Sequence, residues 1–134
     1  MIISRVDPTS IAQLDRLIIF LTAVERAVAP SGQLGQRAAT VMADSSANYA
    51  QMVSPYWTGE LSRSHIHESS SDGRIVYIDP TTRNPITGDP PAIYGPQVHE
   101  RDRRSAFYDR TVSEAGLRIL GEGTAVILAG IDAL

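Results

Sequence analysis

The chain has 134 residues, of which 43% are hydrophobic and 20% charged, and this length and balance are typical of one globular domain. It contains no cysteine, which excludes disulfides, zinc–thiolate sites and thiol nucleophiles and favours an intracellular origin. The formal net charge of −3 argues against non-specific wrapping of DNA, which needs a large basic surface.

A first helix is predicted over residues 7–29. Asp7-Pro8-Thr9-Ser10 is typical of a helix start, apolar residues recur with a 3.6-residue period from Ile11, and Pro30-Ser31-Gly32 ends the pattern. The longest apolar run, residues 17–24, is bounded by charged residues and is too short to span a bilayer. No basic leader with a cleavage site is present, so we expect a soluble protein of the cytoplasm with no membrane partner.

A second helix is predicted over residues 32–53, where Leu34, Ala38, Val41 and Met42 lie on one side and Pro55 closes the segment. The connection between the two helices is only three or four residues long. We therefore expect them to form an antiparallel helical hairpin.

Residues 57–100 are predicted to hold a small antiparallel sheet. Thr58-Gly59 predicts a turn in which Gly59 has a positive φ, and polar/apolar alternation then begins at Glu60. "SHIHES" and "RIVYID" flank "SSDG", which is typical of a β-hairpin. The proline-rich residues 79–93 predict a long extended loop that orders on a neighbouring subunit, and "AIY" predicts a short edge strand.

The helical pattern returns over residues 102–134, where Gly121 and Gly123 either break the helix or only weaken it. The element order is helix, helix, hairpin, loop and helix, without βαβ alternation. It predicts a single α+β domain in residues 1–134.

The candidates for chemistry are few. His65 and His67 lie two residues apart on a predicted strand, so both rings face one side and could bind a metal together with His99. The alternative is that they line a half-exposed sheet face. Phosphate-binding loops, dinucleotide fingerprints, EF-hand loops and nucleophile elbows are absent from the sequence. We expect no enzyme, no cofactor and no metal, with a metal-dependent hydrolase as the lesser alternative and a DNA-binding regulator as a third.

Two features are typical of an interaction surface. Arg101, Arg103 and Arg104 stand at or just before a predicted helix N-terminus, where the macrodipole disfavours cations. Acidic neighbours in the chain could compensate them, and so could carboxylates of a partner or phosphates of a nucleic acid. Trp57 either fills the junction between helical hairpin and sheet or contacts another subunit, since tryptophan and arginine are enriched at interface hot spots.

The order of these segments resembles the small tail-component, or tail-completion, proteins of long-tailed bacteriophages. In that family a "T-G-x-L-x-x-S" segment begins the sheet, and Thr58, Gly59, Leu61 and Ser64 match it. A "Y-A-x-x-v-E" or "Y-x-x-x-x-H-E" segment precedes the last helix, and it is matched by Tyr94, Val98, His99 and Glu100. The resemblance covers roughly residues 33–120. Gly95 replaces the usual alanine, and the family's "E-x-G-T" ending is here His99-Glu100-Arg101-Asp102.

The resemblance implies a structural virion protein, located in the tail or neck and in the host cytoplasm during assembly. It implies a homo-oligomeric ring, expected to be a hexamer, that completes the tail or joins head to tail. A tail terminator or a head–tail connector ring is the near alternative. The implied partners are further copies of the chain and adjoining neck, connector or tail-tube proteins, with genome DNA passing through the lumen. The expected interface residues are Trp57, Thr58, Gly59, Leu61, Ser64, Arg83, Ile86, Tyr94, His99, Glu100, Arg101, Arg103 and Arg104.

Overall fold

The computed structural model describes residues 8–56, 59–71 and 73–134, and within these ranges it describes side chains from residue 11 onward. In chain order the elements are α1 (Pro8–Val28), α2 (Gln33–Val53), α3 (Glu60–Arg63), β1 (His65–Ser70), β2 (Gly73–Ile78), α4 (Pro91–Arg101), a 3-10 turn (Arg103–Ser105) and α5 (Phe107–Asp132). This mixture of helices and a small antiparallel sheet confirms the α+β class.

The helices α1 and α2 form one long bent helix, so the antiparallel hairpin expected from the sequence is wrong. The bend lies between Val28 and Gln33, where the helix is interrupted. Every residue from 11 to 23 is exposed, which means that α1 does not fold back along α2. The physical reason is that α2 already packs against α5 and against both strands, and these elements cover the surface that α1 was expected to contact.

The core is an antiparallel pair formed by α2 and α5. Leu34 near the start of α2 meets Gly130 near the end of α5, and Met42 meets Gly123. A Cβ on Gly130 would lie 2.0 Å from Leu34 Cδ2, so the absence of a side chain there allows the close approach of the helices. The glycines weaken the predicted helix in the sequence, yet α5 runs through Gly121 and Gly123 without a break.

The predicted β-hairpin is confirmed. β1 pairs with β2 in antiparallel register from His65 opposite Ile78 to Ser70 opposite Gly73, and both strands pack on α2. The strand expected to start at Glu60 is instead the short helix α3, which begins after Gly59 with φ of 82°. The positive φ predicted for Gly59 is therefore confirmed, whereas the element that follows it was predicted wrongly.

The predicted "AIY" edge strand is also wrong, since these residues lie in the first turns of α4. The prolines of this segment argue against a helix when the sequence alone is considered. However, proline is tolerated at the first position of a helix, and Pro91 occupies that position in α4. The residues before Pro91 were expected to form an extended loop, but they fold into a turn around Asn84. Asn84 is 1% exposed, and its Oδ1 accepts hydrogen bonds from the backbone N–H groups of Ile86 and Thr87.

Candidate assembly interface

An aromatic cluster joins β1, α4 and α5 at one end of the core. His65, His99, Phe107 and Tyr108 have ring centroids 4.7–6.0 Å apart, and Phe107 is only 1% exposed. Phe107 opens α5, and its contacts with both histidine rings, tilted to His65 and edge-on to His99, fix the direction in which α5 leaves the 3-10 turn. The cluster thereby positions the charged segment that precedes α5.

His65 is held by hydrogen bonds within the chain. Its Nε2 lies 2.7 Å from Ser54 Oγ, its Nδ1 lies 3.0 Å from Tyr108 Oη, and Ser54 Oγ also donates to the Ala50 carbonyl. A neutral imidazole satisfies all three contacts when Nε2–H donates to Ser54 and Tyr108 donates to Nδ1. Burial lowers the pKa of His65 to about 4 and raises the pKa of Tyr108 to about 12. Ser54 is then a structural donor and not an activated nucleophile.

His67 is equally engaged. Arg74 Nε donates to its Nδ1 over 2.8 Å, and its Nε2 lies 2.5 Å from Asp44 Oδ1. With protein partners on both nitrogens of His65 and of His67, neither ring offers a free nitrogen to a metal. Among the residues that the structure describes, no group of three or more histidine and acidic side chains could hold a metal ion.

His99 differs from the other two histidines. Its Nε2 is buried without a hydrogen bond, although Asp109 Oδ1 lies 3.9 Å away. That separation meets the criterion for an ion pair but is too long for a hydrogen bond, so we regard Nε2 as unsatisfied. Together with Phe107, the ring forms the inner wall of the corner between α4 and α5.

We call the residues 100–104 together with Asp109 the charged corner. Arg101 is the last residue of α4, so the dipole argument made for it from the sequence is wrong: a cation at a helix C-terminus is favoured. Its guanidinium also donates to Ser105 Oγ over 2.9 Å. Asp102 caps the 3-10 turn by accepting from the Ser105 N–H at 2.9 Å, and this hydrogen bonding lowers the pKa of Asp102.

Arg103 and Arg104 remain available at this corner. Both side chains are exposed, and within the described ranges neither makes a hydrogen bond or an ion pair through its guanidinium. Two cations stand together before the N-terminus of α5, where Asp109 is the only acidic residue of the first turn. The position before a helix N-terminus that the sequence predicts is therefore confirmed for Arg103 and Arg104 but not for Arg101.

Three expected interface residues, Gly59, Leu61 and Ser64, belong to the interior. Leu61 is 5% exposed and Ser64 is fully buried, with its Oγ donating to the Glu60 carbonyl and lying 2.9 Å from Thr82 Oγ1. Leu61 and Ser64 were expected in the interface because they match the first motif of the resemblance, but in the single chain both side chains are packed inside the fold. Trp57 and Thr58 lie outside the described residues, so both of their interpretations stay predictions.

The two segments that carry the phage resemblance meet at one cleft. Gly59 and Leu61 from the first segment and Tyr94 and Val98 from the second line a mainly apolar cleft of about 380 Å³. Gly95, which stands where the resemblance leads us to expect alanine, lies at a close contact between helix and strand. A Cβ at this position would lie 2.4 Å from Ile78 Cδ1, so α4 crosses β2 closely. Arg83 and Ile86, also expected in the interface, are exposed, and Ile86 is 68% exposed.

The largest exposed apolar surface lies on α1. We call it the apolar arm, and its side chains, each 40–70% exposed, are Ile11, Leu14, Leu17, Ile18, Ile19, Phe20 and Leu21. By length and composition alone, one helix of the described chain, which includes α1, is apolar enough to cross a membrane, and it lies near the N-terminus. The helical hairpin expected from the sequence would have packed the periodic apolar side of α1, without Ile19 and Phe20, against α2. The available warning was that apolar side chains of residues 17–21 surround most of the helix.

A second exposed apolar surface lies on α5, on the side turned away from α2. We call it the outer strip: Leu117 is 88% exposed, Leu120 55% and Leu128 60%. The strip is continued by exposed Gly121 and Thr124, without a charged side chain between them on that side. The arm, the strip and the charged corner are the surfaces of this chain best suited to a partner.

Comparisons of the chain with protein-family models, with curated proteins and with solved structures found no match.

Proposed function

We propose that this protein is a structural component of a bacteriophage neck or tail, which forms a homo-oligomeric ring that completes the tail or joins it to the head. The proposal starts from the order and spacing of the "T-G-x-L-x-x-S" and "Y-x-x-x-x-H-E" segments. It is supported by the cleft at which Gly59, Leu61, Tyr94 and Val98 come together. Further copies of the chain, hexameric in the simplest case, and adjoining neck proteins are the proposed partners.

One observation carries the proposal beyond sequence resemblance. The apolar arm exposes seven large apolar side chains along one helix, which is a surface that a soluble monomer rarely leaves in water. A ring subunit needs complementary surfaces on two sides, and the arm, the outer strip and the charged corner provide separate ones. In contrast, His65 and Tyr108 of the aromatic cluster are engaged in structural hydrogen bonds, which favours an assembly role over an enzymatic one.

The direct test is genetic complementation in a phage that encodes this protein. With the gene inactivated, DNA-filled heads and tails of normal length are expected to accumulate unjoined, and the parent protein supplied from a plasmid restores infectious titre. Tails of irregular length would instead identify a terminator, and heads that lose their DNA would identify a connector. Normal titre without the gene would contradict all three neck assignments.

A further inference from the structure

One side of the apolar arm supplies a substantial part of an interface. The four side chains on that side together expose apolar surface on the order of 400 Å², against roughly 800 Å² that each partner buries in a standard specific interface. Ile11, Leu14, Ile18 and Leu21 follow the helical i, i+3, i+4 spacing and so share one side of α1. Ala12 and Ala23 lie on the opposite side, next to Arg16.

The outer strip has matching dimensions. At 1.5 Å per residue the arm from Ile11 to Leu21 is about 15 Å long, and the strip from Leu117 to Leu128 is about 17 Å long. Leu117, Leu120 and Leu128 lie within an arc of about 80° around α5, at 100° per residue. Gly121 within the strip lets a second helix approach closely, because no atom lies within 4 Å of the position its Cβ would take.

We propose that α1 of one copy packs lengthwise on the outer strip of α5 in a neighbouring copy. Arm and strip are both exposed in the single chain, so they do not cover each other within one subunit. Since each subunit carries one arm and one strip on different surfaces, the contact runs head to tail, and such a heterologous contact closes into a ring when the rotation between subunits permits. The proposal deepens the ring assignment and rests on it.

A lipid bilayer is the competing occupant of the arm. The uncharged run between Arg16 and Glu25 has eight residues and spans about 12 Å, whereas the hydrocarbon core is about 30 Å thick. The charged residues Asp15, Arg16, Glu25 and Arg26 at both ends of this run are suited to the rim of a protein interface. The arm therefore fits a second copy better than a membrane span.

Cysteine crosslinking tests the contact cleanly because the chain contains no cysteine. Single cysteines replace Leu14, Ile18 or Leu21 in the arm and Leu117, Leu120 or Leu128 in the strip, and arm and strip variants are mixed under mild oxidation. We expect at least one mixed pair to give a disulfide-linked dimer more than tenfold above either variant alone. Ala23→Cys, on the opposite side of α1, is the matched control and should not crosslink to the strip.

Three results would overturn the proposal. Crosslinking of Ile18→Cys with itself, but with no strip variant, would place α1 against α1. No crosslink for any of the nine pairs in particles of ring mass would remove the arm from the interface while the ring assignment stands. If the parent chain stays monomeric at every concentration and inside phage particles, both the arm contact and the ring assignment fail.

Charge insertion gives an independent readout. Leu14→Glu/Ile18→Glu should reduce the ring to monomers in size-exclusion chromatography with light scattering, with the circular dichroism per residue unchanged. The matched control Ala12→Glu/Ala23→Glu carries the same added charge and should assemble like the parent. Co-sedimentation of the parent with phosphatidylcholine–phosphatidylglycerol vesicles, abolished by Leu14→Glu/Ile18→Glu, would assign the arm to a membrane and refute the subunit contact.

Discussion

Gly59 links the break after α2 to the short helix α3. Its φ of 82° lies in the left-handed region, and a Cβ there would also lie 2.6 Å from Arg63 Nη1 and 2.7 Å from Tyr56 Cε2. The backbone strain and the crowding act in the same direction, so any side chain at this position destabilises the turn.

The expected cost of Gly59→Ala is about 1–2 kcal/mol of unfolding free energy, which urea denaturation would measure. Gly121→Ala is the control, since Gly121 lies in a helix with no atom near its Cβ position, and it should stabilise the chain by about 0.5–1 kcal/mol. Equal midpoints for Gly59→Ala and the parent would show that the turn is not as described.

The pKa of His65 makes stability depend on pH. The folded-state pKa of about 4 lies below the ordinary value of 6.5, so the unfolded chain takes up the proton first as the pH falls. Stability is therefore full above pH 6.5 and decreases by up to about 3 kcal/mol as the pH falls to 4. Urea midpoints between pH 7.5 and 4 would measure the slope. His65→Phe should remove most of that slope; an unchanged slope in His65→Phe would assign it to other groups.

At the scale of elements, α1 contributes little to the fold of its own chain. All its residues from 11 to 23 are exposed, whereas α2, α5 and the hairpin bury the core. A chain that begins at residue 29 should thus unfold cooperatively with a midpoint within a few degrees of the parent, while failing to assemble. Calorimetry measures the first expectation. A non-cooperative transition would show instead that α1 supports the core.

The local elements were predictable because their signals lie within a few residues. Pro8 and the Pro30–Gly32 break bound α1, and Gly73 closes the hairpin turn with φ of 134°. α4 was missed because Gly95 and Pro96 count against a helix locally, whereas the contact of Gly95 with Ile78 and Leu61 fixes the segment in place. Local propensity is overridden here by packing.

The packing of α1 and the site were less predictable. Periodicity shows which side of a helix is apolar, but it does not show which surface covers that side, and α2 was already occupied by α5 and the strands. Exposed Arg103 and Arg104 were recognisable from charge density, whereas a motif match does not show that Leu61 and Ser64 are buried. The roles of Trp57 and Thr58 stay predictions.

At the scale of the whole molecule, the exposed surfaces divide into apolar and charged ones. The arm and the strip supply apolar area, which stabilises association without specifying orientation. The charged corner lies at the N-terminal end of α5. Charges at an interface rim select the partner and its register more than they add affinity. We therefore expect the corner to determine which neighbour is accepted.

Reversing the charge of the corner tests that expectation. Arg103→Glu and Arg104→Glu should each leave the unfolding free energy within about 0.5 kcal/mol of the parent, because both side chains are exposed and unpaired in the described part of the chain. Assembly should nevertheless fail, since a partner that complements two arginines presents anionic groups to them, and like charges across an interface cost several kcal/mol. Arg37→Glu, on the exposed side of α2, is the matched control and should complement fully. The measurement is infectious titre in the complementation assay, together with urea unfolding of each purified variant. Wild-type titre from Arg103→Glu and Arg104→Glu alike would leave the two arginines without a partner role.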